Sequence, residues 1–276
     1  MIKRKGVFFV TLLVLLVLVL WILWGNYSIQ VTKFTVSSRK IPSSFDGFTI
    51  AQVSDLHNAE FGEENERLLK LLREVEPDGI FLTGDLVDSR RTDMEAALTF
   101  AMEAEKIAPC YYVTGNHESR ISEYPELEKG LKSIGVTVLR DNAVALTKNT
   151  ESILLIGLED PDFTGESSVA IEEKLSELKM EGCYTVLLSH RPELFETYRA
   201  CGVELVFAGH AHGGQVRLPL VGGIIAPDQG LFPKYDAGMY CQKETNMIVS
   251  RGLGNSLFPF RVNNRPQLVV AVLNSR

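Results

Sequence analysis

The sequence predicts an α/β domain carried behind one hydrophobic N-terminal segment, and three observations carry that expectation. Short apolar runs alternate with amphipathic helical stretches through most of the chain. Five of those runs end in a small residue followed at once by Asp, Asn or His. Residues 7–24 contain no charge at all.

Taken in order, Lys3, Arg4 and Lys5 open the chain, and Val7–Trp24 follows with Thr11 as its one polar residue. As a helix, eighteen residues reach roughly 27 Å, close to the hydrocarbon thickness of a bilayer. Trp21 and Trp24 stand at its far end, where indoles favour the interface. A cleaved export signal is the alternative, but the apolar run is long for one and no small-x-small site follows Trp24. The cationic start should remain cytoplasmic, which places the body outside the cytoplasm of a single-pass cell-membrane protein. The expected division is 1–25 for the stub and transmembrane anchor, 26–46 for a juxtamembrane segment and 47–276 for one folded domain.

Ile29–Val36 alternates polar and apolar residues and reads as a strand. The five apolar runs lead to Asp55, Asp85, Asn116, His190 and His210, and continuous runs of this length suit strands buried on both faces. Helical stretches are expected at Glu64–Val75, Asp93–Ile107, Pro125–Ile134, Ser168–Lys179 and Pro192–Cys201. Strands alternating with helices indicate α/β architecture. Val136–Leu139, Ala143–Thr147 and Ile153–Ile156 have no helices between them, so some antiparallel or mixed pairing is expected there. Met247–Ser250 and Leu268–Leu273 read as late strands.

Composition narrows the function. The net charge of −7 is spread along the chain, which argues against a nucleic-acid groove built on Lys and Arg. A phosphate substrate stays open, because bound metal ions can supply positive charge locally. Cys110, Cys183, Cys201 and Cys241 form no CxxC pair; buried thiols and a disulfide or two both remain open. Oligomeric state is not legible.

The histidine inventory is more telling. All five histidines, His57, His117, His190, His210 and His212, fall in the strand-end motifs. A lone histidine is usually a satisfied core or surface residue, but five of five behind buried strands is hard to reconcile with that. Ligands of open α/β sheets bind beyond the carboxyl ends of strands. Carboxylate, imidazole and amide oxygen suit Mn, Fe or Zn. Asp55-x-His57 and His210-x-His212, if extended, point both members of each pair to one side. Two ions sharing a carboxylate could clamp a phosphate and supply hydroxide for in-line attack.

In this order, Asp55-Leu-His57, Gly84-Asp85, Gly115-Asn116-His117-Glu118, His190 and Gly209-His210-Ala-His212 resemble the signature of the calcineurin-like metallophosphoesterases. The resemblance covers about Phe48 to the C-terminus. It implies a β-sandwich of two mixed sheets flanked by helices. It implies one metal on Asp55, His57, Asp85 and His212, and a second on Asp85, Asn116, His190 and His210. His117 matches the family's general acid or phosphate-contacting histidine, and Asp88 the acid that orients it in the protein-phosphatase branch; a helix N-cap or solvated turn is the equal alternative for Asp88. Ser89 stands where that branch has arginine, with Arg90, Arg91 and Arg120 nearby in sequence, which argues against a protein phosphatase. Gly209-His-Ala-His-Gly-Gly-Gln215 and Ser250-Arg-Gly-Leu-Gly-Asn255 with Arg261 and Arg265 are similar to the YkuE- and YaeI-type membrane-associated bacterial subfamily.

The expectation is therefore a hydrolase of phosphodiesters or pyrophosphates, lipid-linked or from the envelope, with two divalent ions (Mn, Zn or Fe). The alternatives are a phosphomonoesterase of the same fold and a membrane-tethered metal-binding adaptor without turnover. Arg251 and Arg261 either contact substrate or pair with carboxylates at the surface, the surface being slightly favoured, and Asp160-Pro-Asp162 either lines the site or, the preferred reading, forms a proline turn.

Overall fold

The computed structural model describes residues 2–255 and 258–276, with side chains from residue 6 onward. The side chains of Lys3, Arg4 and Lys5, on which the expected orientation rests, lie outside the described residues. Helix α1 (Ile2–Tyr27) is apolar on every face from Val7 to Trp24 and exposed along most of its length, meeting the body at its last turns. Its Gly6–Tyr27 stretch is long and apolar enough to cross a membrane.

Strand β1 (Gln30–Ser38) follows within three residues, then β2 (Thr49–Val53), α2 (Glu66–Val75), β3 (Gly79–Thr83), α3 (Met94–Glu105), β4 (Cys110–Val113), α4 (Tyr124–Ile134) and β5 (Thr137–Val138). The second half holds β6 (Asn142–Lys148), β7 (Glu151–Gly157), α5 (Ser168–Leu178), β8 (Thr185–Leu188), α6 (Phe195–Ala200) and β9 (Leu205–Ala208). Two short hairpins come next, β10 (Arg217–Leu218) with β11 (Gly222–Gly223) and β12 (Ile225–Ala226) with β13 (Gly230–Leu231). Strands β14 (Gly238–Gln242), β15 (Thr245–Val249) and β16 (Gln267–Ser275) close the chain.

Two six-stranded mixed sheets result, ordered β1-β16-β2-β3-β4-β5 and β14-β15-β9-β8-β7-β6. β2, β3, β4 and β5 run parallel, and β16 enters antiparallel beside β2. β7, β8, β9 and β15 are parallel, with antiparallel β6 and β14 at the two edges. The juxtamembrane residues expected outside the domain contribute β1, which pairs with β16 from Gln30 to Ser38.

Side-chain alternation explains the apolar runs. On β3, Phe81 points between the sheets while Ile80 and Leu82 face the helices α2, α3 and α4. On β9, Leu205 and Phe207 face inward, and Val206 and Ala208 pack toward α5 and α6. Phe81 and Phe207 meet edge to face across the sandwich at 5.3 Å between ring centroids.

Boundaries differ where local conformation intervenes. Asn65 takes φ 63°, so α2 starts at Glu66 instead of Glu64. The expected Pro192–Cys201 helix divides into a 3₁₀ turn over Pro192–Leu194 and the short α6. β5 pairs in parallel with β4 across α4, so of the three helix-free runs only β6 and β7 form an antiparallel pair.

Candidate metal centre

The ligand-type residues sit on the turns that leave β2, β3, β4, β8 and β9. These turns are not extended, contrary to the expectation for the two x-separated pairs. Asp55, His57, Asp85, His210 and His212 have φ of 52°, 47°, 51°, 66° and 47°. Left-handed backbone at five non-glycine residues costs free energy, and such strain collects where a site requires it. The turns are locked to one another: Asp55 N–H donates to Gly84 O at 3.0 Å and His57 N–H to Asp85 O at 3.0 Å. A Cβ on Gly209 would collide with Ser54 and Asp55, and one on Gly115 with Asp85, so both glycines are required for close approach.

Among the described residues three buried groups emerge: two share Asp85, and His57, Asp88 and His117 form the third. Asp55, His57, Asp85 and His212 bring one ligand atom each within 4.8 Å of one another, as do Asp85, His190 and His210. His57 and His212 aim their Nε2 atoms at each other across 3.1 Å, beside Asp85 Oδ2 (3.5 Å from His57) and Asp55 Oδ1 (3.3 Å from His212). In the second group His190 Nε2 is 3.3 Å from Asp85 Oδ2 and 3.2 Å from His210 Nδ1. Asn116 completes it with its amide oxygen turned to His210 Nδ1 at 2.8 Å and His190 Nε2 at 3.3 Å.

This arrangement fits cations. His190 Nδ1–H donates to Thr83 O at 2.8 Å, so Nε2 is the atom that presents a lone pair once the ring's second proton leaves. His210 Nε2–H donates to Asp228 Oδ2 at 2.8 Å, so Nδ1 presents one too. An amide oxygen and two imidazole lone pairs then converge on one point, acceptors facing acceptors, which a divalent ion reconciles. In the opposite orientation, which suits the metal-free site, the Asn116 amide nitrogen donates to His190 Nε2 and His210 Nδ1 and its oxygen accepts from Arg120 at 3.1 and 3.2 Å.

Electrostatics without metal follow the same crowding. Burial alone would raise Asp85, but His190, His57 and His117 hold it well below the carboxylate range. Burial opposes charge on His190, yet Asp85, Asp55 and Asp160 push it up to about 10. Burial pulls His212 down to about 3 and, helped by neighbouring charges, His117 down to about 4.

His117 lies beside the first group, its ring 4.5 Å from that of His57. Its backbone N–H donates to Asp85 Oδ1 at 2.8 Å. Ser89 N–H donates to His117 Nδ1 at 3.0 Å, which leaves Nε2 to carry the proton of the neutral ring. Asp88 is buried, but its carboxylate accepts from the Arg90 backbone (2.9 Å) and guanidinium (3.2 and 2.9 Å) and stays 3.9 Å from His117 Nδ1. It therefore acts on His117 by charge, with Ser89 supplying the direct contact.

Three residues escaped the sequence reading. Glu118 accepts backbone N–H groups of Asp85, Leu86 and Gly115 at 2.8–2.9 Å and so clamps the Asp85 and Asn116 turns together. Arg191 is buried and grips Asp160 at 2.6 and 2.8 Å and Asp228 at 2.6 Å. Asp228 braces His210. The proline turn at Asp160 forms as expected, and Asp160 also anchors that arginine. A cue existed in Arg191 following His190 directly; its partners 31 and 37 positions away carried none. Arg251 and Arg261 correct the surface expectation: Arg261 is buried, Arg251 largely so, and neither has a carboxylate partner among the described residues. Both lie inside the C-terminal turns, where backbone carbonyls of residues 251 and 254 accept from Arg261 and the Gln30 side chain accepts from Arg251.

A model of the calcineurin-like phosphoesterases matches residues 48–214. The chain belongs to the calcineurin-like phosphoesterase family. The phosphoesterase is 31% identical over 261 residues to the metallophosphoesterase YkuE of Bacillus subtilis, covering 90% of this chain and 87% of that one. It is 30% identical over 233 residues to the phosphodiesterase YaeI of Escherichia coli, covering 82% of each. Among solved structures, TT1561 of Thermus thermophilus shares the fold, with a TM-score of 0.53 at 14% identity over 75% of this chain and 90% of that chain. The phosphoesterase is thus a metal-dependent hydrolase of phosphoesters, and the family and the clustered ligands together point to a binuclear divalent centre.

The bracing of His210 gives a testable consequence. Asp228→Ala should weaken the second metal roughly 10–100-fold, the usual cost of losing the partner of a metal-bound imidazole. Mn²⁺ titration against a competing chelator reads this directly, and an unchanged affinity would contradict the assignment.

Proposed function

We propose that the phosphoesterase hydrolyses phosphodiesters or pyrophosphates presented at a membrane face, lipid-linked or envelope-derived. One ion would be held by Asp55, His57, Asp85 and His212, the other by Asp85, Asn116, His190 and His210. When bound, the ions supply positive charge to phosphoryl oxygens and acidify water. The protein's own part is to fix those ligands, offer a donor at His117 and shape the cleft. That cleft, about 670 Å³, is bordered by His57, Asn58, Arg90, Arg91, Asn255 and Pro259, a size suited to a small-molecule substrate. Arg90, steadied by Asp88, and Arg91 place guanidinium charge where the expected phosphate-binding arginine is missing.

The observation that carries the membrane half is Asn255. It borders the cleft, accepts from Arg261 Nε at 3.0 Å, and the Arg261 backbone N–H donates to Asn26 at the end of α1 at 2.7 Å. Asn26 returns a bond to Arg261 O at 3.0 Å. Arg261 alone therefore bridges the helix end at Asn26 and the cleft wall at Asn255, and Asn255 Nδ2 also donates to Asn26 Oδ1 at 3.5 Å.

The test uses the full chain in detergent with Mn²⁺. Bis-p-nitrophenyl phosphate should turn over faster than p-nitrophenyl phosphate, and a lipid-linked pyrophosphate in mixed micelles should show a lower KM than its water-soluble head group. Two ions bound with no turnover of any phosphoester would instead make the protein a metal-binding adaptor, and turnover of monoesters alone a phosphomonoesterase.

Metal uptake should also depend on pH. His190, held at about 10 without metal, carries a proton at pH 7 that ligation through Nε2 must displace. Filling the second position at pH 6–8 should release about one proton, and affinity should fall roughly tenfold per pH unit on acidification. Calorimetric titrations in buffers of different ionisation enthalpy measure the release; none at all would contradict it.

A further inference from the structure

Below the cleft, where α1 meets the body, a second and smaller cavity of about 130 Å³ is bordered by Trp21, Trp24, Gln30, Arg251, Arg261 and Arg265. That is roughly four water molecules' share of liquid volume. Three guanidinium groups surround it, and none forms an ion pair among the described residues.

Each is held in place from behind by neutral groups. Arg251 Nη2 donates to Gln30 Oε1 at 2.9 Å, and its Nε is buried with no hydrogen-bond partner among the described residues. Arg261 Nη1 donates to Arg251 O at 2.7 Å, and Nη2 to Gly254 O. Arg265 donates to Ser28 Oγ at 2.6 Å and to the carbonyls of Ser28 and Ile29 at 3.0 Å each, with its guanidinium 4.6 Å from the Trp24 ring. Burial and the neighbouring Arg217 and Arg265 pull Arg251 down to about 10. Asp236 and Asp55 act on Arg251 and Arg261 only from beyond ion-pair distance, and like charges gathered in a small, half-buried space without a paired carboxylate are unfavourable until an anion enters. Planar guanidinium forks are suited to phosphate in particular.

We propose that this cavity binds a phosphate group, separately from the metal cleft. Trp21 and Trp24 mark its depth as that of a bilayer interface, so a phospholipid head group is the source the geometry favours; free phosphate would use the same arginines. Phe258 and Phe260, just before Arg261 in sequence, add exposed apolar surface. Occupancy would tie the cleft wall to the lipid surface through Arg261 and Asn255. The site itself stands independently of which phosphoester is hydrolysed.

Trp21 and Trp24 are the only tryptophans of the chain, so intrinsic emission reports on this cavity. The full chain with metal, in neutral detergent, would be titrated with micelles containing phosphatidylglycerol, with micelles containing diacylglycerol, and with inorganic phosphate. A saturable change with phosphatidylglycerol and none with diacylglycerol is expected. Arg251→Gln should weaken it at least tenfold, whereas Arg265→Lys, which keeps the charge, should hold it within severalfold. A response to inorganic phosphate at comparable affinity would support the phosphate site and assign its source to solution. Native mass spectrometry of the unmodified chain, which needs no variant, should show one retained phospholipid when lipid is the source. No saturable response to either phosphate source, or titrations identical in Arg251→Gln, would overturn the proposal. Hydrolysis of bis-p-nitrophenyl phosphate by the same preparations keeps a failure here distinct from a failure of the hydrolase reading.

Discussion

Asp85→Asn should lower kcat/KM on a phosphodiester by at least ~10³-fold, about 4 kcal/mol of transition-state stabilisation, and reduce bound metal from two ions per chain to one or none. Asp85 is the residue both ligand groups share, with Oδ2 3.5 Å from His57 Nε2 and 3.3 Å from His190 Nε2. Its other oxygen accepts the His117 backbone N–H at 2.8 Å, so one side chain ties both groups to the turn that carries His117. The amide keeps the shape and one acceptor but removes the charge that two neighbouring cations need. Metal analysis alongside kinetics separates the two effects. Full activity in Asp85→Asn, or loss of activity with two ions still bound at wild-type affinity, would contradict the shared-ligand assignment.

The site was more legible than the machinery that holds it. Residue type and position at strand ends are local properties, so the two aspartates, Asn116 and the histidines could be read from their motifs. Backbone conformation was not: Asp55 and His57 were expected along an extended segment, and both adopt left-handed φ. That conformation is imposed by bonds from the Asp85 turn, which is distant in sequence. The same limit hid Arg191, since its value depends on Asp160 and Asp228 arriving from other loops. Arg261 shows the converse error. A charged side chain is ordinarily at the surface, but here carbonyls of residues 251 and 254 line its burial.

Sheet membership of β1 was likewise out of reach. Its alternation announced a strand, but parallel pairing with β16 joins residues some 237 positions apart (Gln30 with Gln267). This pairing matters for function, because it fixes Gln30 and Ser28 against Arg251 and Arg265 and so sets where the apolar helix leaves the body. The apolar helix is thereby joined directly to the edge strand of the first sheet, with the cleft wall at Asn255 close behind.

His117→Ala should reduce kcat by about 10²–10⁴-fold, the range for removal of a positioned proton or hydrogen-bond donor, while leaving two ions bound. The side chain contributes no atom to either of the groups that share Asp85, and its ring stands edge-on to His57 at 4.5 Å between centroids. Ser89 N–H occupies Nδ1, so the ring can offer only Nε2–H while it remains neutral. Burial, together with His57 and Arg120, holds its pKa at about 4 against the pull of Asp85 and Asp88. A histidine lowered in this way gains its second proton only as pH falls through that value, so between pH 5 and 8 it acts as a neutral donor. Two outcomes follow. The His117-dependent factor in kcat should be flat across that interval, and His117→Gln, which retains an amide N–H, should recover part of the activity lost in the alanine variant. Rates of the wild type and both variants at five or six pH values, each with its metal content, decide the matter. An acid–base limb near neutrality that vanishes only in the variants would show instead that the imidazolium is the working form, and that substrate or metal shifts the ring away from its Ser89 contact.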